Sequence, residues 1–140
     1  MTRPLLKAIS DLGYHKPTPI QQLAIPVITS GKDIVASSIT GSGKTAAFLV
    51  PVIQRYFNVA PVGYIRAMIV TPTRELAIQI YEEFSKLNKY AKLEAVLVIG
   101  ASSIQKQEMA LRNNPELVIG TPGRIIDVLM NSRSVGIENL

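Results

Sequence analysis

The chain has 140 residues, of which 47% are hydrophobic and 18% are charged; this composition is typical of one globular domain and excludes a disordered chain. It contains 15 lysines and arginines against 10 acidic residues, so its formal net charge of +5 permits an anionic partner such as nucleic acid without requiring one. The lack of cysteine excludes disulfides and, with His15 as the single histidine, argues against a structural zinc site. The lack of cysteine also fits an intracellular protein, and no apolar run is long enough to span a bilayer, so we expect no membrane partner.

The chain begins with a helix, predicted from Pro4 to Leu12, and a loop that carries two prolines. A second helix follows, with Thr18 as its N-cap, Pro19 at its first position and Gln21 three residues after the cap. This spacing leaves two interpretations of Gln21 open. It can close a capping box, or it can form a purine-sized slot with Tyr14, because an amide both donates to and accepts from adenine while an aromatic ring stacks on it.

The next stretch is predicted to be a short strand at residues 34–36, a polar loop at residues 37–43 and a helix that begins near Lys44. Gly41 and Gly43 allow the loop backbone to curl so that successive N–H groups face an anion, and the helix N-terminus adds further N–H groups. At this spacing Lys44 would reach the β- and γ-phosphates of a nucleotide, and the Thr45 hydroxyl would contact Mg²⁺.

The sequence therefore predicts a nucleotide phosphate site. Ser38 stands where the general pattern of such loops has a glycine. The alternative interpretation is a plain turn of glycines and serines that leads into a helix.

Three more strands are predicted from apolar runs at residues 67–70, 95–99 and 117–119, and each is followed by a helix. These helices are predicted at residues 73–88, 102–111 and 121–130. Pro51 lies inside the helix that follows the polar loop, and we expect it to kink that helix or end it early. Alternating strands and helices predict an α/β fold, with four parallel strands in one sheet flanked by helices.

The carboxyl ends of parallel strands lie along one edge of a sheet, where ligands bind. Three turns that follow strands, at residues 71–75, 100–101 and 120–124, would share this edge with the polar loop. Two of them open a helix and carry an arginine, Arg74 or Arg124, so each can bind a phosphate through backbone N–H groups and a guanidinium together. Ordinary N-capping with a surface arginine would explain one such turn, but two beside a nucleotide site favour a second polyanion.

Four motifs in this chain resemble those of the DEAD-box RNA helicases, and they occur in that family's order. Residues 13–21 resemble the family's adenine-sensing motif, and residues 40–45 resemble its motif I. Residues 72–79 resemble motif Ia, and residues 121–124 resemble motif Ib. Within the family, residues 39–45 and 114–124 look most like helicases of ribosome assembly.

The resemblance implies a RecA-like P-loop NTPase fold, and for a whole helicase it implies ATP-dependent unwinding of RNA duplexes by two RecA-like domains. It implies that residues in the first part of the chain bind ATP or ADP: Tyr14, Lys16, Thr18, Gln21, Ser38, Thr40, Gly41, Ser42, Gly43, Lys44, Thr45 and Ala46. Lys44 and Thr45 are the catalytic candidates in this set, and Thr45 is the candidate ligand of Mg²⁺ carried by the nucleotide. It implies that a second group of residues binds the RNA backbone with little preference for base sequence: Pro72, Thr73, Arg74, Gly100, Thr121, Pro122, Gly123 and Arg124.

The chain departs from the family pattern at three points. Ser38 stands where the family usually has alanine, and Gly100-Ala101 stands where it usually has two glycines. The acidic (Walker B) strand with its Asp-Glu-Ala-Asp segment, and the second RecA-like domain, are not among the 140 residues. Because phosphoryl transfer needs a carboxylate to hold the metal and orient water, we expect these residues alone to bind ATP without hydrolysing it.

We expect the parent helicase in the nucleus or nucleolus, with the cytoplasm as the alternative.

Two other functions fit part of the sequence. A P-loop kinase or other small-molecule phosphotransferase accounts for Lys44 and Thr45 but not for residues 13–21 or the paired arginine turns. A non-catalytic RNA-binding module accounts for the turns and treats the polar loop as purely structural. Nucleotide titration, and the effect of RNA on ATP turnover by a longer parent protein, would distinguish them.

Overall fold

The computed structural model describes residues 1–57, 64–100, 103–131, 135, 137 and 140. Within them, the helices are α1 (Arg3–Asp11), α2 (Pro19–Thr29), α3 (Lys44–Tyr56), α4 (Arg74–Leu87), α5 (Ile104–Arg112) and α6 (Pro122–Asn131). The strands are β1 (Ala67–Val70), β2 (Ala95–Val98) and β3 (Leu117–Gly120). Of the helices in these described ranges, none has both the length and the apolar character that crossing a membrane requires.

The chain forms two compact units. The helical unit comprises Met1–Val59 and Glu83–Lys92, and the sheet unit comprises Ala60–Glu82 and Leu93–Leu140. In the helical unit α2 packs against α3, and α1 also contacts α3. Apolar residues that recur every third or fourth position bury one side of these helices. The buried hydrophobic side chains of this unit are Leu5, Ala8, Ala24, Ala46, Ala47, Leu49, Val50, Ile53, Phe84 and Leu87.

The sheet unit is built on a parallel sheet with the strand order β1-β3-β2. Gly120, the last residue of the central strand, aligns with Val70 on one side and Val98 on the other. A Cβ atom at Gly120 would lie 2.1 Å from the backbone oxygen of Val98, so only glycine allows the two strands to approach this closely. The hydrophobic core of this unit consists of Ile65, Val98, Leu111, Val118, Ile125 and Val128.

The predicted first strand, residues 34–36, does not form. This segment has no regular secondary structure and pairs with none of the described strands. Its Val35 is 103% exposed, and Ile39 in the following loop is 81% exposed. An extended segment becomes a strand only when a neighbour completes its backbone hydrogen bonds, and the described pairing involves β1, β2 and β3 alone. The prediction of four strands was therefore wrong for the described residues, which form three.

The sequence predicted that Pro51 would kink its helix or end it early. The early end does not occur, because α3 continues to Tyr56, and the kink stays a prediction. Proline removes one backbone hydrogen bond and crowds the preceding turn, at a typical cost of about 3 kcal/mol. Pro51 is buried together with its neighbours Val50 and Ile53. Burial of these side chains offsets the local cost, so tertiary packing overrides the helix-breaking tendency.

The start of α5 also differs from the prediction. Ser103 is its N-cap, and the Ser103 hydroxyl oxygen accepts a hydrogen bond from the backbone N–H of Lys106 at 3.3 Å. The predicted start at Ser102, and the Ala101 that precedes it, lie outside the described residues.

Candidate nucleotide loop and nucleic-acid-binding cavity

The nucleotide loop, residues 37–45, depends on two glycines in the left-handed region. Gly43 is the N-cap of α3 with a φ of 85°, and Gly41 has a φ of 77°. A Cβ at Gly43 would lie 2.5 Å from the Nε2 of Gln21, whereas a Cβ at Gly41 would have nothing within 4 Å. Gly43 is therefore required by conformation and by space, and Gly41 by conformation alone.

Gln21 joins the start of α2 to the nucleotide loop. Its Oε1 accepts a hydrogen bond from the backbone N–H of Thr18 at 3.0 Å, and its Nε2 donates to the backbone oxygen of Gly43 at 3.2 Å. Thr18 and Gln21 thus take the positions of the predicted capping box. The buried Thr18 hydroxyl makes no hydrogen bond of normal geometry within the described residues. The amide keeps a second N–H and a second lone pair, which is what an adenine edge would use, so the adenine slot stays a prediction.

Lys44 lies against the backbone of its own loop. Its Nζ donates to the backbone oxygens of Ser38 and Ile39, the second at 2.6 Å. The hydroxyl of Ser38 donates to the hydroxyl oxygen of Ser42 at 2.7 Å, a bond that alanine at position 38 could not make. These contacts close the loop around the lysine ammonium. The remaining predicted residues of the loop are the exposed Thr40, the half-buried Thr45 and the buried Ala46.

Tyr14 does not reach the nucleotide loop through a hydrogen bond. Its side chain is 43% exposed, and its hydroxyl donates to a carboxylate oxygen of Glu83 at 2.7 Å. This hydrogen bond to Glu83 raises the pKa of the Tyr14 hydroxyl above its usual value. No hydrogen bond among the described residues joins Tyr14 to Gln21, and Lys16 is exposed. The structure therefore joins Gln21 to the loop by a hydrogen bond, and the role of Tyr14 stays a prediction.

The strand-end cavity, of about 550 Å³, lies where the chain leaves the three strands. Every predicted RNA-binding residue except Pro122 lines it, and Pro122 is exposed at the start of α6. Two residues that the sequence analysis did not single out, Glu75 and Asp127, complete the lining. The full lining consists of Pro72, Thr73, Arg74, Glu75, Gly100, Thr121, Gly123, Arg124 and Asp127.

Threonine hydroxyls fix the turn that presents Arg74. Thr71 is buried, and its hydroxyl donates to the backbone oxygen of Thr73 at 2.9 Å. The Thr73 hydroxyl oxygen in turn accepts from the backbone N–H of Leu76 at 3.2 Å, as an N-cap does. Arg74 is consequently the first residue of a capped helix whose positive end faces the cavity.

Arg124 is held by a residue that the sequence analysis missed. Its Nε donates to the Oε1 of Gln107 at 3.0 Å, and Gln107 is buried on α5. Helical spacing places Gln107 on the buried face of α5, between Ile104 and Leu111, but no local pattern links it to Arg124. Asp127 does have a local signal, since it follows Arg124 by three residues on α6 and so occupies the same helix face.

A resident metal ion has no preformed site in the part of the chain that the structure describes, which contains no cluster of three or more candidate histidine or carboxylate ligands. Thr45 supplies a single hydroxyl at the start of α3. This donor set fits Mg²⁺ that arrives with nucleotide phosphates, which commonly keeps several waters and uses few protein ligands.

One protein family matches most of the chain. The family described as DEAD/DEAH box helicase matches residues 18–140. The chain belongs to the DEAD/DEAH box helicase family. This membership accounts for the resemblance of all four sequence motifs to one set of helicases.

Similar proteins include DEAD-box ATP-dependent RNA helicase 28 of Oryza sativa subsp. japonica, which is 52% identical over 141 residues and covers 100% of this chain. The probable ATP-dependent RNA helicase ddx27 of Dictyostelium discoideum is 48% identical, and the ATP-dependent RNA helicase DRS1 of Meyerozyma guilliermondii is 47% identical, each again over 100% of the chain. The chain spans only 18 to 20% of the length of these three relatives.

Two solved helicase-family structures are also similar. A DEAD box protein from the hyperthermophile Methanococcus jannaschii has a TM-score of 0.88 and 40% identity, over 100% of this chain and 38% of that one. A hypothetical ATP-dependent RNA helicase from Sulfolobus tokodaii has a TM-score of 0.82 and 31% identity, over 93% of this chain and 37% of that one. These likenesses confirm the predicted RecA-like α/β fold with a parallel sheet flanked by helices.

The glycine geometry of this DEAD/DEAH box chain leads to a stability prediction. Alanine at Gly41 or Gly43 should lower the free energy of unfolding by about 1–2 kcal/mol, because the alanine must adopt a left-handed conformation. Gly43→Ala should lower it further, because the added Cβ displaces the Gln21 amide. The additional loss should be about 1 kcal/mol for each hydrogen bond that this amide no longer makes. Denaturant unfolding of the 140-residue chain measures both.

The same measurement in a Gln21→Ala background is the control. Without the amide, the extra loss of unfolding free energy in Gly43→Ala should shrink to what the Thr18 hydroxyl contributes, since that hydroxyl would lie 3.2 Å from the added Cβ. A Gly43→Ala penalty that stays larger by the same amount in that background would contradict this explanation.

Proposed function

We propose that this chain is the ATP-binding and RNA-binding part of an ATP-dependent RNA helicase. The observation that carries the proposal is the strand-end cavity, which gathers two arginines and two helix N-termini from turns that are far apart in sequence. A site for a small phosphorylated substrate does not need a second row of phosphate contacts in addition to the nucleotide loop. A site for a polyanion does need such a row, because a polyanion presents phosphates at regular spacing.

The nucleotide loop would bind the phosphates of ATP or ADP. The N-terminus of α3 and the curled backbone at Gly41 and Gly43 offer N–H groups to an anion. Lys44 would exchange its two backbone acceptors for phosphate oxygens. Thr45 would contact the accompanying Mg²⁺, which supplies charge neutralisation across the phosphates. Gln21, through its bond to Gly43, would connect adenine recognition by Gln21 and Tyr14 with phosphate binding.

The strand-end cavity would bind the sugar-phosphate backbone of RNA. Arg74 and Arg124 each combine a guanidinium with the N-terminal end of a helix. The carboxylates of Glu75 and Asp127 can accept hydrogen bonds from 2′-hydroxyls, which DNA lacks. Such contacts give little sequence preference and distinguish RNA from DNA.

For the longer protein, we propose RNA-stimulated ATP hydrolysis that unwinds or remodels RNA duplexes, with a second RecA-like domain as the partner of this one. The names of the relatives support this, since three of them are called ATP-dependent RNA helicases. The resemblance of residues 39–45 and 114–124 to ribosome-assembly helicases favours that pathway and a nuclear or nucleolar location.

The nucleotide site is tested by Lys44→Ala. We expect this substitution to weaken ADP binding at least tenfold, which corresponds to about 1.4 kcal/mol, because the loop loses its one charge-assisted contact with phosphate. Lys32→Ala, at an exposed lysine that precedes the loop, is the matched control for the loss of one positive charge. Isothermal titration calorimetry with ADP and Mg²⁺ measures both variants. Unchanged affinity in Lys44→Ala would exclude the nucleotide loop as the binding site.

The RNA site is tested by the double substitution of Arg74 and Arg124 to alanine. We expect weaker binding of single-stranded RNA and a flatter dependence on salt, with the slope of log K against log[salt] reduced by about 0.7 for each lost phosphate contact. Arg112→Ala, which removes an exposed arginine paired with Glu108, should leave the slope unchanged. Fluorescence anisotropy with a labelled oligouridine at several salt concentrations gives the slopes. Equal slopes for the wild type and the double variant would remove the RNA assignment.

The 140 residues by themselves are expected to bind ATP without turning it over. They contain no Asp-Glu-Ala-Asp segment, so no carboxylate of that kind orients the attacking water. Phosphate release by the purified chain should stay at the level of a Lys44→Ala control, with or without RNA. RNA-stimulated release above that control would show that other residues of this chain supply the missing group.

A further inference from the structure

Gln107 is a buried polar side chain that the functions described so far do not use. It lies on helix α5 and is only 4% exposed. Its Nε2 donates to the backbone oxygen of Ile99 at 2.7 Å, and its Oε1 accepts from the Nε of Arg124 at 3.0 Å. One amide therefore joins the turn that follows β2 to the first turn of α6, and both turns line the strand-end cavity.

The chemistry of the two partners determines which side chain can take this place. The Ile99 oxygen can only accept a hydrogen bond, and the Arg124 Nε can only donate one. The residue between them must donate at one end and accept at the other, as an uncharged amide does. Glutamate would set a carboxylate oxygen against the Ile99 oxygen, and methionine would fill the volume but leave two polar groups without their partner.

The bond to Nε also fixes the orientation of Arg124. Nε lies within the planar guanidinium, so a hydrogen bond to it sets the plane of the whole group relative to the cavity. The half-buried arginine is ordered before RNA arrives, so less side-chain entropy is lost on binding.

We propose that Gln107 is a positioning residue for RNA binding, which holds the Arg124 guanidinium in the strand-end cavity at the orientation needed for a backbone phosphate. This inference rests on the proposed RNA-binding function. It predicts that Gln107 contributes to RNA affinity only through Arg124, since Gln107 itself does not line the cavity.

A double-mutant cycle with the 140-residue chain tests this dependence. The variants are Gln107→Met, Arg124→Ala and the two combined, with Gln105→Met as the control at an exposed glutamine on the same helix. Anisotropy with labelled oligouridine gives the affinity and the salt slope of each. We expect Gln107→Met to lose most of the affinity that Arg124→Ala loses and to flatten the slope by up to about 0.7, whereas Gln105→Met changes neither. In the Arg124→Ala background, Gln107→Met should add no further loss.

Circular dichroism and thermal unfolding establish that each variant is folded. If Gln107→Met does not fold, Gln107→Asn takes its place in the cycle, because its shorter side chain keeps an amide but cannot reach both partners. Losses that add independently in the two backgrounds, or a Gln107 variant with wild-type affinity and slope, would overturn the positioning role and leave the RNA site intact. No effect of Arg124→Ala itself would instead overturn the proposed RNA site.

Discussion

The ends of three parallel strands lie at the same level of the sheet, and the candidate RNA site depends on this register. Val70, Gly120 and Val98 are aligned across the sheet, and the hydrogen bonds continue one residue further, from Thr71 N–H to the Gly120 oxygen and from Thr121 N–H to the Val98 oxygen. After this level the chain turns into helices α4 and α6, so their N-termini open on the same cavity. Sheet geometry, rather than closeness in sequence, brings the two arginines to one site.

In each of the two candidate sites, a glutamine amide connects a loop to a second turn of the chain. Gln21 accepts from Thr18 and donates to Gly43, and Gln107 accepts from Arg124 and donates to Ile99. In both cases one end of the amide binds a backbone oxygen in a loop, and the other end binds a donor on a different turn. An amide is suited to this because it carries a donor and an acceptor on one rigid plane without a charge, whose burial would cost far more free energy.

The sequence predicted those features that have local causes. Apolar periodicity and capping residues place α1, α4, α5 and α6 within one or two residues of their predicted ends, and apolar runs place β1, β2 and β3. The predictions fail where contacts with residues distant in the sequence determine the local structure. Residues 34–36 are as apolar as a strand but have no described pairing partner, and Pro51 stays in a helix because its neighbours are buried. Helical spacing places Gln107 on the face of α5 that carries Ile104 and Leu111, so the sequence could have marked it as buried. Its hydrogen bond to Arg124 has no such local signal, because the two residues lie on different helices.

Ser38 shows how a departure from a family pattern affects the loop that contains it. Its hydroxyl binds Ser42, and its backbone oxygen, with that of Ile39, accepts from the Lys44 ammonium. At the proposed nucleotide site, a phosphate would compete with these two backbone oxygens for the ammonium, and nucleotide affinity would reflect the difference between the two arrangements. A phosphate carries full negative charge whereas a peptide oxygen carries only a partial one, so the exchange favours the nucleotide. The loop thus holds its lysine ordered near the N-terminus of α3 by contacts weak enough to be replaced.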